Sequence, residues 1–260
     1  MTQYSDAGVE ALLREQPRVL DQLRRATEQA VQQSAFAANE RAREYLRSGV
    51  GRRLRLLDRT LSNMFELFPV STVQPIDRDD LDDAQINLHA FIMNLYGLFD
   101  NLAWAFVIHH DLLSQVGDRK KVGFFLSATK RFFPPALRAF ADDAKMKVWH
   151  SEYLKNFRDA LAHRIAPYIP PATYSNEDES EYIALEQQWH ESIEMRNWHR
   201  AEDISRRQNS LGSPCFVFAH SLDTAEGKRI VYLHPQMVAD AKTAAEVCTL
   251  FFANWQQRAA

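Results

Sequence analysis

Glycine is scarce in this chain: eight residues in 260, at positions 8, 49, 51, 97, 117, 123, 212 and 227. No three of them form a GxGxxG and no GxxxxGK[ST] occurs, which disfavours dinucleotide-binding and P-loop folds. A β-rich chain with many tight turns is disfavoured too, because such turns need residues that tolerate positive φ. Cysteine is rarer still. Cys215 and Cys248 belong to no CxxC or Cys/His cluster, so neither a disulfide scaffold nor a zinc knuckle is expected, and a reducing cytoplasm is the simplest home. The longest unbroken apolar run is Leu102 to Ile108, and the N-terminus lacks a basic stretch followed by an apolar core; neither export nor membrane spanning is expected. Lysine is also sparse, eight against 23 arginines. With 34 acids the net charge is −3, so no global field attracts a polyanion and any such site must be local.

What is present is helical. At 46% hydrophobic and 25% charged the chain can bury a full core. Residues 18 to 47 have no Gly or Pro and are rich in Ala, Gln, Glu and Arg, predicting one long amphipathic helix. Leu54, Leu57, Leu61, Met64, Phe65 and Phe68 recur at helical spacing and predict a second, ending before Pro69. Its Arg52, Arg53, Arg55 and Arg59 form a basic cluster that reads best as a solvated face beside nearby acids, with an RNA-facing patch as the alternative. Asp77, Asp79, Asp80, Asp82 and Asp83 lack the glycine and distant glutamate of a calcium loop, and read as capping acids for the helix that follows.

That helix, from Ala84 to about Leu113, carries Leu88, Phe91, Ile92, Leu95, Leu98, Phe99, Leu102 and Phe106 on one stripe, with Ala90, Asn94, Gly97, Asn101 and Ala105 opposite, a small-residue face that invites close helix contact. His109 and His110 near its end are expected as partners of the helix dipole. A further helix extends to about Ile165, and another covers about Glu181 to Arg196. The runs CFVFAH (215 to 220) and RIVYLH (229 to 234) read as a hairpin, and a helix from Pro235 to about Trp255 closes the chain. The fold class is mostly α, with a small C-terminal β-hairpin.

The candidate site lies in KNFRDALAHR (155 to 164). An apolar stripe of Trp149, Tyr153, Leu154, Phe157, Leu161 and Ile165 leaves Lys155, Arg158, Asp159 and His163 on the other side. Arg158 and His163 diverge by about 140° and bracket a polar face, while Asp159 and His163 stand at i,i+4, where the carboxylate could orient the imidazole. Arg, His and an orienting acid suffice to cleave a phosphodiester beside a 2′-hydroxyl. Neutral imidazole removes the hydroxyl proton, the guanidinium stabilises the phosphorane oxygens, and the tethered nucleophile needs no metal-bound water.

The segment RDALAH (158 to 163), with NLYGLFDNLAWAF (94 to 106) on the preceding long helix and HRIAPYIPP (163 to 171) after it, resembles the HEPN superfamily, the higher eukaryotes and prokaryotes nucleotide-binding domain. That family carries an Arg-x(4 to 6)-His motif, often with a polar residue straight after the Arg, on a bundle of α-helices. The resemblance divides the chain into an N-terminal helical extension and linker (1–83), an HEPN-like core (84–170), and a segment of acidic loop, helix, hairpin and closing helix (171–260), together one compact unit. It implies a metal-independent endoribonuclease, a homodimer whose two-fold axis unites two Arg/His pairs, with Arg158 and His163 catalytic and Asp159 orienting. Lys155 and Arg164 are the candidate substrate-binding cations. No cofactor and no metal are implied; RNA, and an antitoxin or regulatory protein, are the implied partners. Where some members place a Tyr two residues after the His, this chain has Ile165. Some members are non-catalytic binding or dimerisation modules, which is the alternative reading. His190 with Glu194, and His199 with Glu202 or Asp203, read as solvated pairs.

Overall fold

Ser5 caps the first helix by accepting from the Gly8 amide, and in the computed structural model, which describes residues 3–219 and 230–259, α1 then runs over Asp6–Ser34. It passes straight through Pro17, which sequence alone would place at its start. Pro17 is exposed, so the carbonyl it leaves without an amide partner faces water. The predicted helix over 18 to 47 is interrupted at 35–39, although its composition favours continuation. Here the chain serves another helix: Ala38 donates its amide to His109 Nδ1 (3.1 Å) and Asn39 Nδ2 donates to the Ile108 carbonyl (3.2 Å). Asn39 also caps α2 (Glu40–Glu44), which leads through a π-helical turn, Tyr45–Val50, into α3 (Gly51–Leu67).

Asp77 caps α4 (Arg78–His109) by accepting from the Asp79 amide at 2.9 Å, so the aspartates of the linker do stand at a helix N-terminus. The predicted apolar stripe of α4 is buried throughout, and its small-residue face receives α3 and the π turn; a Cβ on Gly49 would lie 3.1 Å from Asn101. By length and composition α4 could cross a membrane, but 61% of its most apolar window is buried within the bundle. His110 Nε2 hydrogen bonds to the Trp255 carbonyl at 2.7 Å. Burial pushes both His109 and His110 down, which works against the charged form that would best meet the helix dipole.

After short turns α5 (Leu113–Val116), α6 (Ser127–Lys130) and α7 (Pro135–Asp142), the chain forms one nearly continuous rod: α8 (Ala144–Val148), a second π-helical turn over Trp149–Leu154, and α9 (Lys155–His163). The capped hairpin of α10 (Asn176–Glu194) and α11 (Trp198–Asn209) follows, held by Arg207 on Glu181 at 2.6 Å. Sequence reading gives no separate helix at α11. β1 (Val217–Ala219) pairs antiparallel with β2 (Ile230–Tyr232) in the register Val217 to Tyr232; the SLDTAEGK connection (221–228) lies outside the described residues. The last helix, α12 (Leu233–Asn254), packs on α1 and α3. One continuous apolar core contains residues from Leu12 to Trp255.

Two buried polar groups on α12 fix this arrangement. His234 accepts from Tyr4 Oη at Nδ1 (3.2 Å) and donates from Nε2 to the Phe68 carbonyl (2.7 Å), and burial pushes it down to about 4. Asp240 receives Trp149 Nε1 (2.8 Å), Tyr153 Oη (2.7 Å) and Gln236 Nε2 (2.8 Å), and burial pushes its carboxyl up to about 6. Asp240→Ala leaves three donors without an acceptor and should cost about 2–4 kcal/mol in urea unfolding. Asp240→Asn should cost less. Because the folded carboxyl titrates above the unfolded one, its favourable contribution is complete below the unfolded pKa of about 4. It is lost as pH rises through about 6. The Asn variant should therefore gain on wild type over that window. A difference independent of pH would refute the buried, protonating carboxyl.

Candidate functional site

The site is built where α9 crosses α4. Phe157 and Ala160 bury one side of α9, Phe157 meeting Phe218 of β1 edge-on at 5.1 Å. Arg158 is thereby turned toward α4, where its guanidinium carbon lies 4.1 Å from the centre of the Tyr96 ring. Arg158 Nη1 lies 3.0 Å from Asp159 Oδ1, an ion pair between neighbours on α9. Arg158 Nε is buried without a hydrogen-bond partner, yet 24% of the side chain remains open to solvent. Tyr96 is also stacked with His150 at 5.8 Å, and His150 with Phe125 at 4.0 Å, both pairs tilted by only 22°. Phe125, His150, Tyr96 and Arg158 thus form a stacked series.

Burial, and then the charges of Lys155 and Arg158, push His150 down to about 4. It is neutral at physiological pH, so it packs beside the arginine without repelling it. Asp100, one turn beyond Tyr96 on α4, is pushed up to about 6 by burial, against the opposing pull of Arg158 and then Arg53. Arg53 comes from α3 and donates to Asn94 Oδ1 at 3.2 Å. A Cβ on Gly97 would stand 2.3 Å from the Arg53 guanidinium carbon; the missing side chain is what lets that cation lie against α4.

The other expected residues lie elsewhere on the same surface. His163 is the last residue of α9, exposed and without a hydrogen bond to any described residue. The Asp159 carboxylate is engaged by Arg158, and no Asp159 to His163 hydrogen bond occurs among the described residues. Lys155 is exposed. Arg164, just past the helix end, donates to the Asn156 carbonyl (3.0 Å) and to its Oδ1 (2.5 Å). Ile165, expected on the apolar stripe, is 71% exposed because α9 has ended.

Sequence reasoning did not single out Tyr96, Asp100, Arg53 or His150 for the site. Tyr96 and Asp100 left a readable signal, a polar pair at i,i+4 within an otherwise apolar helix; Arg53 and His150 left none, since their places depend on how α3 and the π turn pack. His199 pairs with Asp203 at 3.2 Å on the surface. Among the described residues no group of three or more His, Cys, Asp or Glu is placed to hold a metal ion. No protein-family model matches the chain, and no curated protein or solved structure shows significant similarity to it.

The Asp100 carboxyl should titrate near 6 in a ¹³C NMR experiment, and higher in Arg158→Gln, which removes the larger of the two cationic pulls. An unchanged midpoint would show that the two side chains are not electrically coupled.

Proposed function

We propose that this chain is a metal-independent endoribonuclease of HEPN type that acts as a homodimer on RNA in the cytoplasm, with an antitoxin or regulatory protein as a partner. The observation that carries the reading is the state of Arg158: fixed by Tyr96 and Asp159, yet partly open, with a buried Nε that has no partner of its own. A guanidinium restrained in this way is suited to a phosphorane whose negative charge develops only in the transition state. His163, five residues on, has no hydrogen bond to any described residue and can take the 2′-hydroxyl proton. The 2′-oxygen then forms a bond to phosphorus while the bond to the 5′-oxygen breaks, giving a 2′,3′-cyclic phosphate, and His163 of a second copy protonates the departing oxygen. Exposed Ala162 and Ile165 beside His163 leave room for a second copy to approach closely. In this reading Lys155, which is exposed, and Arg164 attract the flanking phosphates.

A second reading is favoured by the seating of Arg158 on the Tyr96 ring: if Arg158 serves only to close the α4 and α9 contact, the chain is a helical HEPN-like binding or dimerisation module without turnover. The two readings separate experimentally. The endoribonuclease should cleave single-stranded RNA in EDTA to 2′,3′-cyclic phosphate ends, and Arg158→Ala and His163→Ala should each lower the rate by about 100-fold or more. His163→Ala should change stability by no more than about 0.5 kcal/mol, because the side chain is exposed. Cleavage that survives both substitutions, or none by the pure wild type on several RNAs, sinks the enzymatic reading.

A further inference from the structure

The arginines of α3 do not all behave as a solvated face. Around them most cations are matched: Arg24 bonds Asp58 (3.1 Å), Arg25 bonds Asp21 (2.8 Å), Arg41 bonds Glu44 (2.5 Å) and Arg43 bonds Glu40 (2.5 Å). Arg47, Arg52 and Arg55 are not. None of the three has an ion pair or a side-chain hydrogen bond with any described residue, and all three line one cavity of about 360 Å³ together with Thr27, Val31, Ser48 and Gly51. No carboxylate lines it. In a chain with more acids than bases, three unmatched cations gathered into one concavity is an arrangement that repels itself unless an anion enters.

The backbone explains how the three meet. Arg52 and Arg55 share a face of α3 at i,i+3. Arg47 precedes Arg52 by five residues, which on a regular helix would turn it about 140° away. The π-helical turn over Tyr45–Val50 lies between them, and its wider, i to i+5 winding brings Arg47 and Ser48 round to the same side. The Ser48 hydroxyl has no partner among the described residues, whereas that of Thr27 is spent on the Leu23 carbonyl (2.8 Å).

A second cavity, of about 220 Å³, shares Ser48 and Arg52 with the first and reaches Asn101 on α4. From Asn101 the same helix leads to Gly97, under Arg53, and to Asp100, which feels both Arg53 and Arg158. The second cavity, which Glu44 also lines, therefore joins the Arg47, Arg52 and Arg55 concavity to the face of α4 on which Arg53 lies. We propose that the Arg47, Arg52 and Arg55 cavity, with Ser48 as a hydrogen-bond donor, binds phosphate groups of a single-stranded RNA backbone at a distance from the bond that is cut. This rests on the endoribonuclease reading for the identity of the strand. Arginine suits the task because its planar fork meets two phosphate oxygens at once, as a lysine ammonium does not.

The test uses the full wild-type chain and an uncleavable strand, a fluorescent single-stranded 2′-O-methyl oligoribonucleotide, with anisotropy read over a salt series. Arg52→Gln/Arg55→Gln, at exposed positions whose fold is checked by circular dichroism, should weaken binding at least about tenfold. Loss of two phosphate contacts at about 0.7 each should flatten the slope of log affinity against log salt by about 1.4. Arg47→Gln alone should act in the same direction. Unchanged affinity and slope in both variants overturn the inference while leaving cleavage, assayed separately, free to stand. Weakened binding in the variants with no cleavage by wild type upholds the inference and removes the enzymatic reading. Binding of inorganic pyrophosphate as tightly as the oligonucleotide, lost in the same variants, assigns the cavity to a small phosphorylated ligand and overturns the RNA backbone assignment.

Discussion

The buried carboxylate of Asp240 is the constraint on which the placement of the site depends. It sits on α12, the helix that closes the core, and it receives two of its three hydrogen bonds from Trp149 and Tyr153 in the π-helical turn that runs directly into α9. A buried acid is costly unless its oxygens are satisfied, so this contact tolerates little slippage. An isolated apolar contact in the same place would permit the rod of α8 and α9 to slide or rotate by small amounts. Three directional bonds to one carboxylate do not. The winding of that turn matters as well, since it lets Trp149 and Tyr153 face Asp240 while Phe157 and Arg158, a few residues on, face β1 and α4.

Arg158 inherits this rigidity and adds its own. Most of the freedom of an arginine side chain is lost when its guanidinium is laid on a ring and tied to a carboxylate, and here the loss is taken during folding rather than on ligand binding. The neutrality of His150 is part of the same device. A protonated imidazole in the stack would stand one ring away from the guanidinium and weaken its seat; burial keeps it neutral down to about pH 4. Asp100 works the other way. With a carboxyl pushed up to about 6, it is an anion at neutral pH that helps hold two cations, Arg53 and Arg158, on one side of α4, and it yields that charge under mild acid.

Much of the helical layout was legible in the sequence because it rests on local pattern: the stripe of α4, the capping aspartate before it and the apolar face of α9 are all periodic features. The failures have a common cause. The break at 35–39 runs against helix propensity and exists because Ala38 and Asn39 complete the far end of α4, more than sixty residues away. Pro17 reads as a boundary but lies on the wet side of α1. Arg158 and Asp159 were visible as a pair of residue types, but whether the acid serves the arginine or the histidine is settled by side-chain geometry that spacing alone leaves open. Arg53 shows the same limit: its neighbours in sequence place it in a basic run, and only the missing Cβ of Gly97, on another helix, draws it away from that run and against α4.

The charge balance, finally, has a structural reading that the net value conceals. Most of the arginines of α1 and α2 are cancelled by acids three or four residues away, as amphipathic helices commonly arrange, and such pairs contribute little to stability and nothing to long-range attraction. Of the arginines without an acid, Arg47, Arg52 and Arg55 share one concavity on α3, and Arg53 lies against α4. An acidic protein can then meet an anionic strand without a global field, because at physiological salt a charge is felt only over about 8 Å. Within that range an anion at Arg47, Arg52 and Arg55 would meet a concavity that no carboxylate lines. A net charge of −3 is therefore compatible with a phosphate-binding face, and it restricts that face to one part of the molecule.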